Sequence, residues 1–308
     1  MSTDGSQREA WKGVFPSLPT PFDRDDAIDL EAMRRVVRFA IEAGSHGLIC
    51  FGLAGEVFRL TPSERLALLE VIVDETGGAV PVLACVGTEA THTSCGLARA
   101  AVRLGADGIV VPPPVTGRPS RDELVHYFEV IASTAPVPVM IQDAPEYLKI
   151  ELGPDLVADV ASRCANVRFV KLEGGPDDLK RWVDRLGGRC DVFGGNGGMY
   201  LLDCLAAGAK GVAPGVDLVD LLVEIYELSV SHRANDAEML FRRLLPALVF
   251  ELQDIEHYNA CAKVVLARRG VLTETHLRSP ATALPPEGVD VLERYLEDLG
   301  VLPRDTTR

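Results

Sequence analysis

The chain has 308 residues, of which 47% are hydrophobic and 25% charged, a composition typical of a globular protein with a large core. Its net charge of −14 argues against nucleic acid or an anionic membrane surface as a partner, because both attract basic patches. The apolar runs are too short to span a bilayer, and the first nine residues lack the apolar stretch of an export signal, so we expect a cytoplasmic protein.

Short β-type runs and amphipathic helical patterns alternate along the chain up to about residue 216. Strands are predicted at 14–18, 47–51, 80–86, 108–111, 137–141, 167–172, 190–193 and 211–213. Helices are predicted at 30–43, 62–76, 91–104, 121–133, 153–162, 176–186 and 199–207. Apolar strands that alternate with helices are typical of a parallel sheet covered on its outer face.

The joints between helices and strands repeat one short motif. It reads EAGSHGL at 42–48, RLGADGI at 103–109 and AAGAKGV at 206–212. In each copy one glycine suits the end of a helix and a second opens the next strand. A joint used three times among eight strands favours a rotationally repeated α/β fold, the (β/α)₈ TIM barrel, over a doubly wound sheet.

Beyond residue 216 the predicted elements are helices alone, at about 217–233, 236–253, 257–269 and 287–299. We therefore predict a barrel over 10–216, then the eighth barrel helix with a C-terminal helical extension over 217–300. The polar ends, 1–9 and 301–308, are predicted to be flexible.

Active sites of such barrels lie at the C-terminal ends of the strands, and only one lysine stands there in line with a strand. Lys171 follows an apolar run, where poor solvation of its ammonium would lower the pKa and make the amine nucleophilic. Glu173 lies two residues on and shares its face of the strand, so it could serve as acid and base or as an ion-pair partner. The same pattern also fits a lysine that reaches solvent beside a salt-bridged neighbour.

Four further strand-end or loop features are candidates for substrate contact. Gln142 and Asp143 interrupt an apolar run and are either ligands or turn formers. The glycine-rich segment 194–198, with Gly195 and Asn196, offers backbone amides that could cradle a carboxylate. Tyr147 could reach into the barrel mouth or stand exposed on a loop.

Other polar residues suit structural roles. His46 and His92 lie beside a helix end and a helix start, and we interpret Glu56 as a cap for the segment after it. The following LTPSE segment is a helix start, with Thr61 as cap and Glu64 completing a capping box. Seven cysteines are scattered singly, as reduced core thiols are, and the usual ligand spacings are missing, so we expect neither a metal site nor a cofactor.

Four segments together resemble the dihydrodipicolinate synthase / N-acetylneuraminate lyase superfamily. They are the stretch over 16–65, ADGIVVPPP at 106–114, FVKLEGG at 169–175 and LAAGAKGVAP at 205–214. The resemblance implies that Lys171 forms a Schiff base with pyruvate or another 2-oxo acid. It also implies a homo-oligomer, either a tetramer or a dimer.

The sequence departs from that superfamily at several site positions. Its Gly-(Thr/Ser)-Thr-Gly-Glu loop, whose hydroxyls bind the 2-oxo acid carboxylate, is here Gly52-Leu53-Ala54-Gly55-Glu56. By position in this loop, Leu53, Ala54 and Gly55 are still expected to contact the substrate. Its Tyr-Asn-x-Pro stretch is Gln-Asp-Ala-Pro at 142–145, and the arginine expected shortly afterwards is replaced near 146–147 by Glu-Tyr. A second tyrosine expected after the fourth strand is replaced at 114–115 by Pro-Val. These departures argue against dihydrodipicolinate synthesis.

Three functional hypotheses stay open at this point. The Gln-Asp-Ala-Pro and Lys-x-Glu combination resembles the L-2-keto-3-deoxyarabonate dehydratase branch, which favours a dehydratase or aldolase of a 2-keto-3-deoxy sugar acid. Glu173 would then carry the proton and Gln142 would orient the substrate. One alternative is a pyruvate aldolase of the dihydrodipicolinate synthase or N-acetylneuraminate lyase type. The other is a protein that binds a 2-oxo acid without catalysis.

Overall fold

The computed structural model describes residues 11–302, so the ends predicted to be flexible lie outside the described residues except for 301–302. Eight strands are present, each close to its predicted position. They are β1 (Gly13–Val14), β2 (Leu48–Cys50), β3 (Val82–Cys85), β4 (Gly108–Val111), β5 (Val139–Asp143), β6 (Val167–Leu172), β7 (Asp191–Gly194) and β8 (Gly211–Val212).

The strands form one parallel sheet in the order β1-β8-β7-β6-β5-β4-β3-β2. Its two edges meet just after β1, where Ser17 bridges Ile49 on one side and Gly215 on the other. Backbone hydrogen bonds from Leu18 to Ile49 and from Ile49 to Pro16, both 2.9 Å, seal this join. The sheet is thus closed, and the predicted TIM barrel is confirmed.

Helices follow the strands around the outside of the barrel. They are α1 (Leu30–Glu42), α2 (Pro62–Thr76), α3 (Thr91–Arg103), α4 (Arg121–Thr134), α5 (Pro145–Leu148), α6 (Pro154–Arg163), α7 (Pro176–Leu186) and α8 (Leu201–Ala207). The capping box at the start of α2 is confirmed: Thr61 accepts from the Glu64 amide, and the Glu64 carboxylate accepts from the Thr61 amide. The short helix α5 was not predicted, and it carries Tyr147.

Four helices complete the described chain: α9 (Val219–Val230), α10 (Ala234–Glu251), α11 (Ile255–Arg268) and α12 (Pro286–Leu299). Helix α9 contacts β1, and α10 packs against both α9 and α12. Helix α11 contacts the 3₁₀ turn Leu53–Gly55 that follows β2. The extension therefore reaches the mouth of the barrel. The domain boundaries at 217 and 300 stay a prediction.

The barrel interior is filled with aromatic side chains below the level of Lys171. Phe193 packs edge-on against Phe15, with ring centroids 5.2 Å apart, and against Phe169, at 6.0 Å. Trp11 stacks on Phe169 with ring centroids 4.9 Å apart. Since Phe169 and Lys171 are two residues apart on β6, they share a face, and the aromatic layer forms a floor beneath the lysine.

Of the two histidines expected to have structural roles, His46 has contacts that support one. His46 accepts from the Val14 amide at 3.2 Å and lies 3.0 Å from Glu227, which fixes a helix-to-strand joint, whereas His92 is exposed on α3. The seven cysteines carry no disulfide, and all but the half-buried Cys164 are buried. Within residues 11–302, no helix is both long and apolar enough to cross a membrane.

Candidate active site

Lys171 lies at the end of β6 and meets Glu173 inside the barrel mouth. Its Nζ is 2.8 Å from Glu173 Oε1, and the two side chains are only 9% and 7% exposed. This low exposure excludes the alternative in which Lys171 reaches solvent beside a salt-bridged neighbour. An amine and a carboxylate are thus held together in a poorly solvated place.

The glycine-rich segment after β7 holds the Glu173 carboxylate. The Asn196 amide donates to Glu173 Oε2. A Cβ on Gly195 would stand 2.0 Å from that same oxygen, so only glycine lets the carboxylate lie there. Of the backbone amides predicted to hold a carboxylate, that of Asn196 does so, but the carboxylate belongs to the protein, and the Gly195 amide donates to the Leu172 carbonyl at 2.8 Å instead. Direct substrate contact by these two residues stays a prediction.

Gln142 stands beside Lys171 across the β5–β6 pair. Registered residues of neighbouring parallel strands face the same side, so both side chains point into the barrel. The Gln142 side chain is buried, and its Nε2 has no hydrogen-bond partner among the described residues. Because a buried unpaired amide is costly, it is the kind of group that a bound ligand satisfies.

Asp143 belongs to the opposite face of β5. The strand runs through both Gln142 and Asp143, so neither residue is a turn former. Asp143 Oδ1 accepts from the Leu152 amide at 3.2 Å, which ties down the loop containing α5. Burial raises the pKa of Asp143 to about 6. Its contacts are those of a loop support, and its role as a substrate ligand stays a prediction.

The loop after β2 brings Leu53 and Ala54 to the cavity around Lys171. Gly55 is buried instead: its carbonyl accepts from Thr20 Oγ1 at 2.7 Å, and a Cβ there would lie 2.9 Å from the Leu18 carbonyl oxygen. Gly55 therefore shapes the loop, while contact with substrate stays a prediction for all three residues.

The interpretation of Glu56 as a helix cap is wrong. Its carboxylate is fully buried, with Oε1 2.6 Å from Lys263 Nζ and Oε2 3.1 Å from Arg59 Nη1. The capping of α2 is done by Thr61 and Glu64 instead. Glu56 thus fastens the loop over the barrel mouth to α11. The interpretation was wrong because the partner of Glu56, Lys263, is distant in sequence, and only the local capping pattern could be seen there.

The residues of the Lys171 cavity that were not predicted include Ser17, Ile255 and Tyr258. The Ser17 hydroxyl is buried and unpartnered among the described residues. Tyr258 donates to Asp217 Oδ1 at 2.6 Å. Sequence reasoning missed Ile255 and Tyr258 because nothing local shows that α11 crosses the barrel mouth. The serine, by contrast, follows the first strand and could have been included among the strand-end candidates.

Tyr147 reaches the same cavity from α5 and is half-buried. The phenol pKa is raised to about 12 by burial, and the nearby Glu173 charge adds to the effect. The expectation that Tyr147 could reach the mouth is thus met, and the exposed-loop alternative is not.

The arrangement suits covalent capture of a carbonyl compound. Lys171 supplies an amine and Glu173 a group that can accept and return its proton at 2.8 Å. Residues 11–302 contain no group of three or more His, Cys, Asp or Glu side chains placed to hold a metal ion.

Comparison with known proteins agrees with this chemistry. The Dihydrodipicolinate synthetase family model matches residues 10–299. A 4-hydroxy-tetrahydrodipicolinate synthase of Chlorobium phaeobacteroides is 30% identical over 295 residues, covering 94% of this chain and 97% of the relative. A 4-hydroxy-tetrahydrodipicolinate synthase 2 of Streptomyces coelicolor is 31% identical, covering 98% and 99% of the two chains.

Solved structures match over the same length. YagE of E. coli K12, a member of this family solved in complex with pyruvate, superposes with a TM-score of 0.90 at 25% identity and covers 95% of this chain and 99% of its own. The dihydrodipicolinate synthase of Thermotoga maritima gives a TM-score of 0.89 at 25% identity, with the same coverage. With the barrel, the strand-end lysine and the full-length match in agreement, this chain belongs to the dihydrodipicolinate synthetase family of aldolase-type lyases.

Proposed function

We propose that this lyase acts on a 4-hydroxy-2-oxo acid, held as an imine on Lys171, and either dehydrates it or cleaves it by retro-aldol reaction. A 2-keto-3-deoxy sugar acid, the substrate class expected from the sequence, has this skeleton. The observation that carries the proposal is the 2.8 Å contact between Lys171 Nζ and Glu173 Oε1 at the end of β6.

The proposed reaction begins with proton transfer from Lys171 to Glu173. The free amine attacks the C2 carbonyl of the substrate. The former carbonyl oxygen then leaves as water with the proton held by Glu173, which gives a protonated imine and restores the Glu173 carboxylate. This cation acidifies C3, from which the Glu173 carboxylate removes a proton. In the dehydratase reaction the enamine expels the C4 hydroxyl, which takes the proton held by Glu173 and leaves as water. Hydrolysis of the imine then releases the product with its carbon skeleton whole.

In the aldolase reaction the C4 hydroxyl loses its proton to the Glu173 carboxylate and the C3–C4 bond breaks. An aldehyde leaves, and the enamine that remains takes a proton at C3. Hydrolysis of the imine then releases pyruvate and restores the Lys171 amine. Glu173 thus acts first as a base and then as the acid that returns the proton to C3, and product analysis separates the aldolase from the dehydratase reaction.

Two residues are proposed to orient the substrate. The unpartnered Gln142 amide beside Lys171 would donate to a substrate oxygen. The unpartnered Ser17 hydroxyl, close to the loop that lacks the family's hydroxyls, would replace them in binding the 2-oxo acid carboxylate. Homo-oligomerisation and a cytoplasmic location stay predictions from the sequence.

Reductive trapping tests the proposal. Borohydride added with pyruvate should leave a reduced adduct on Lys171, detected by intact mass and peptide mapping, and Lys171→Ala should give none. Lys210→Ala, which removes an exposed lysine, is the matched control and should label like wild type. A wild type that gains no adduct, or gains it equally at another lysine, contradicts the proposal.

The names of the curated relatives make 4-hydroxy-tetrahydrodipicolinate synthesis the second candidate. The resemblance places an arginine near 146–147, where this chain has the exposed carboxylate of Glu146 and the phenol of Tyr147. A guanidinium binds the carboxylate of the aldehyde substrate through two hydrogen bonds, whereas a protein carboxylate at the same place repels that substrate carboxylate. Turnover of pyruvate with aspartate semialdehyde should therefore be negligible, and a kcat on the order of 1–10³ s⁻¹ would restore this candidate.

A further inference from the structure

A cavity of about 460 Å³ adjoins the Lys171 cavity at the ends of β2, β3, β4 and β5. The two cavities share Leu53, Tyr147 and Ile255, and the strand neighbour of Lys171, Gln142, lines the larger one. A substrate attached at Lys171 through C2 would therefore extend its distal atoms into the larger cavity. The volume of this cavity lies within the range of small-molecule sites.

Arg65, near the start of α2, lines this larger cavity with a guanidinium that is largely unpaired. Its Nη2 donates to the Val57 carbonyl at 3.0 Å, whereas Nε and Nη1 are buried and have no partner among the described residues. Burial lowers the pKa of Arg65, and within residues 11–302 only the thiol of Cys85 opposes this shift, so no carboxylate balances the charge. A buried, unbalanced cation is costly, and a bound anion would remove that cost.

The two cations, Arg65 and Lys171, lie close to one side chain. The Cys85 thiol lines the larger cavity, and burial raises its pKa. The charges of Arg65 and Lys171 both oppose that shift, and because the effect of a charge declines with distance, both must be near the thiol. A small linear molecule joined to Lys171 at one end can therefore bring a group at its other end to Arg65.

The remaining polar groups of the wall favour a ligand that accepts hydrogen bonds. Gln142 Nε2 is buried without a partner, and the Tyr147 phenol makes no hydrogen bond in the described part of the chain. The Glu89 carboxylate, in contrast, already accepts from the Val115 and Thr116 amides, both at 2.9 Å. Donors are thus left over in this wall, and an ionised carboxylate is a group that only accepts.

Resting on the proposed function, we infer that the substrate is a 4-hydroxy-2-oxo diacid, whose distal carboxylate binds Arg65 while C2 forms the imine on Lys171. Gln142 Nε2 would then donate to the C4 oxygen between the two ends. A 2-keto-3-deoxy sugar acid that carries a second carboxylate at its far end belongs to this class. Arg65 is thereby assigned as a specificity-determining residue.

A single negative charge suits this cavity better than a phosphate dianion. The described residues give the cavity one unpaired guanidinium, and the carboxylate of Glu89 in the same wall repels further negative charge. Aspartate semialdehyde would bring an ammonium group beside its carboxylate. Because Arg65 repels that ammonium group, the inference agrees with negligible synthase activity.

Reductive trapping tests the inference whichever reaction follows the imine. The probes are the diacids 2-oxoglutarate, 2-oxoadipate and 2-oxopimelate, and the neutral comparison is 2-oxooctanoate, whose tail has as many non-hydrogen atoms as that of 2-oxoadipate. With borohydride, the best diacid should reach half-maximal labelling of Lys171 at a concentration at least about tenfold lower than 2-oxooctanoate does. A hydrogen bond to a charged group is strong enough to give this factor.

Arg65→Gln supplies the structural arm of the test, because its amide can still donate to the Val57 carbonyl while the charge is lost. The advantage of the best diacid over 2-oxooctanoate should fall about tenfold, and Arg65→Lys, which keeps the charge, should retain part of it. Arg99→Gln, which changes an exposed arginine in α3, is the matched control and should retain all of it. Pyruvate labelling of Lys171 in each variant verifies that the barrel mouth is intact.

The outcomes separate the inference from the proposed function. If pyruvate is trapped on Lys171 but 2-oxooctanoate labels at as low a concentration as the best diacid, the distal carboxylate is wrong and the proposed function stands. If Arg65→Gln keeps the full advantage of the diacid, Arg65 does not bind it and the inference falls. If 2-keto-3-deoxy-6-phosphogluconate labels at a lower concentration than every diacid, a phosphate is preferred and the inference falls as well. If pyruvate is not trapped at all, both the inference and the proposed function fall.

Discussion

Glu173 owes its position to a glycine. Gly195→Ala would place a methyl group 2.0 Å from Glu173 Oε2, and the carboxylate would have to move away from Lys171. The φ of Gly195 is −98°, outside the left-handed region, and the clash with the carboxylate is the effect on which this prediction rests. We expect turnover to fall about 10²-fold, the lower end of what a positioned acid or base contributes, with pyruvate trapping retained.

A second glycine provides the control. Gly96→Ala in α3 places its Cβ in open space and should leave turnover unchanged while stabilising the helix by up to about 1 kcal/mol. Steady-state kinetics with thermal unfolding check both variants. Full activity in Gly195→Ala would show that the position of the Glu173 carboxylate does not matter.

The ion pair between Glu56 and Lys263 is nearly inaccessible to solvent. Burial lowers the pKa of Lys263, and the neighbouring Glu56 opposes that shift. Lys263→Met would remove one partner and leave a buried carboxylate with Arg59 alone. We expect a loss of about 3 kcal/mol in the free energy of unfolding, the lower end of the range for a broken buried pair.

Urea unfolding checks this loss, and the double variant Glu56→Gln, Lys263→Met is its control. The double variant should recover part of the stability because the unpaired charge is gone. An unchanged unfolding midpoint for Lys263→Met would mean that Arg59 alone satisfies the Glu56 carboxylate.

At the scale of elements, the end of β5 should make stability depend on pH. The pKa of Asp143 is raised to about 6 by burial, against an ordinary value near 3.9. The folded state therefore binds this proton more tightly than the unfolded state does. This contribution is fully present below about pH 4 and is lost as the pH rises through about 6.

Asp143→Asn removes the titration and isolates its effect. The free energy of unfolding of wild type, minus that of the variant, should decrease as the pH rises from about 4 to about 7. Urea unfolding at several pH values in that window measures the difference. A difference that stays constant across the window would show that Asp143 titrates normally in the folded protein.

Across the whole molecule, local signals in the sequence were enough to predict the barrel. Short apolar runs mark the strands and a period of 3.6 residues marks the helices, and both patterns depend on neighbouring residues alone. The β6 strand end identified Lys171 and Glu173 for the same reason, since two residues apart on a strand always share a face. The capping box at Thr61 and Glu64 is another local signal that the structure confirms.

What the sequence could not predict depends on contacts between distant segments. The placement of α11 over the barrel mouth brings Ile255 and Tyr258 to the Lys171 cavity, and no periodicity encodes it. The same helix supplies Lys263. Its contact with Glu56 could not be predicted from local sequence, so Glu56 was wrongly interpreted as a cap. The sequence did not predict that the Asn196 amide would bind the Glu173 carboxylate, because a glycine-rich turn does not specify which anion it holds.

The central claim is that Lys171 forms an imine whose C3 proton is removed by Glu173. Exchange of the pyruvate methyl protons for deuterium in D₂O, followed by NMR, tests it without any knowledge of the second substrate. Wild type should exchange them, and Lys171→Ala should not. Glu173→Gln should still trap pyruvate with borohydride yet exchange about 10²–10⁴-fold more slowly. The claim is contradicted if Glu173→Gln exchanges at the wild-type rate while Tyr147→Phe does not, because the phenol would then be the proton carrier.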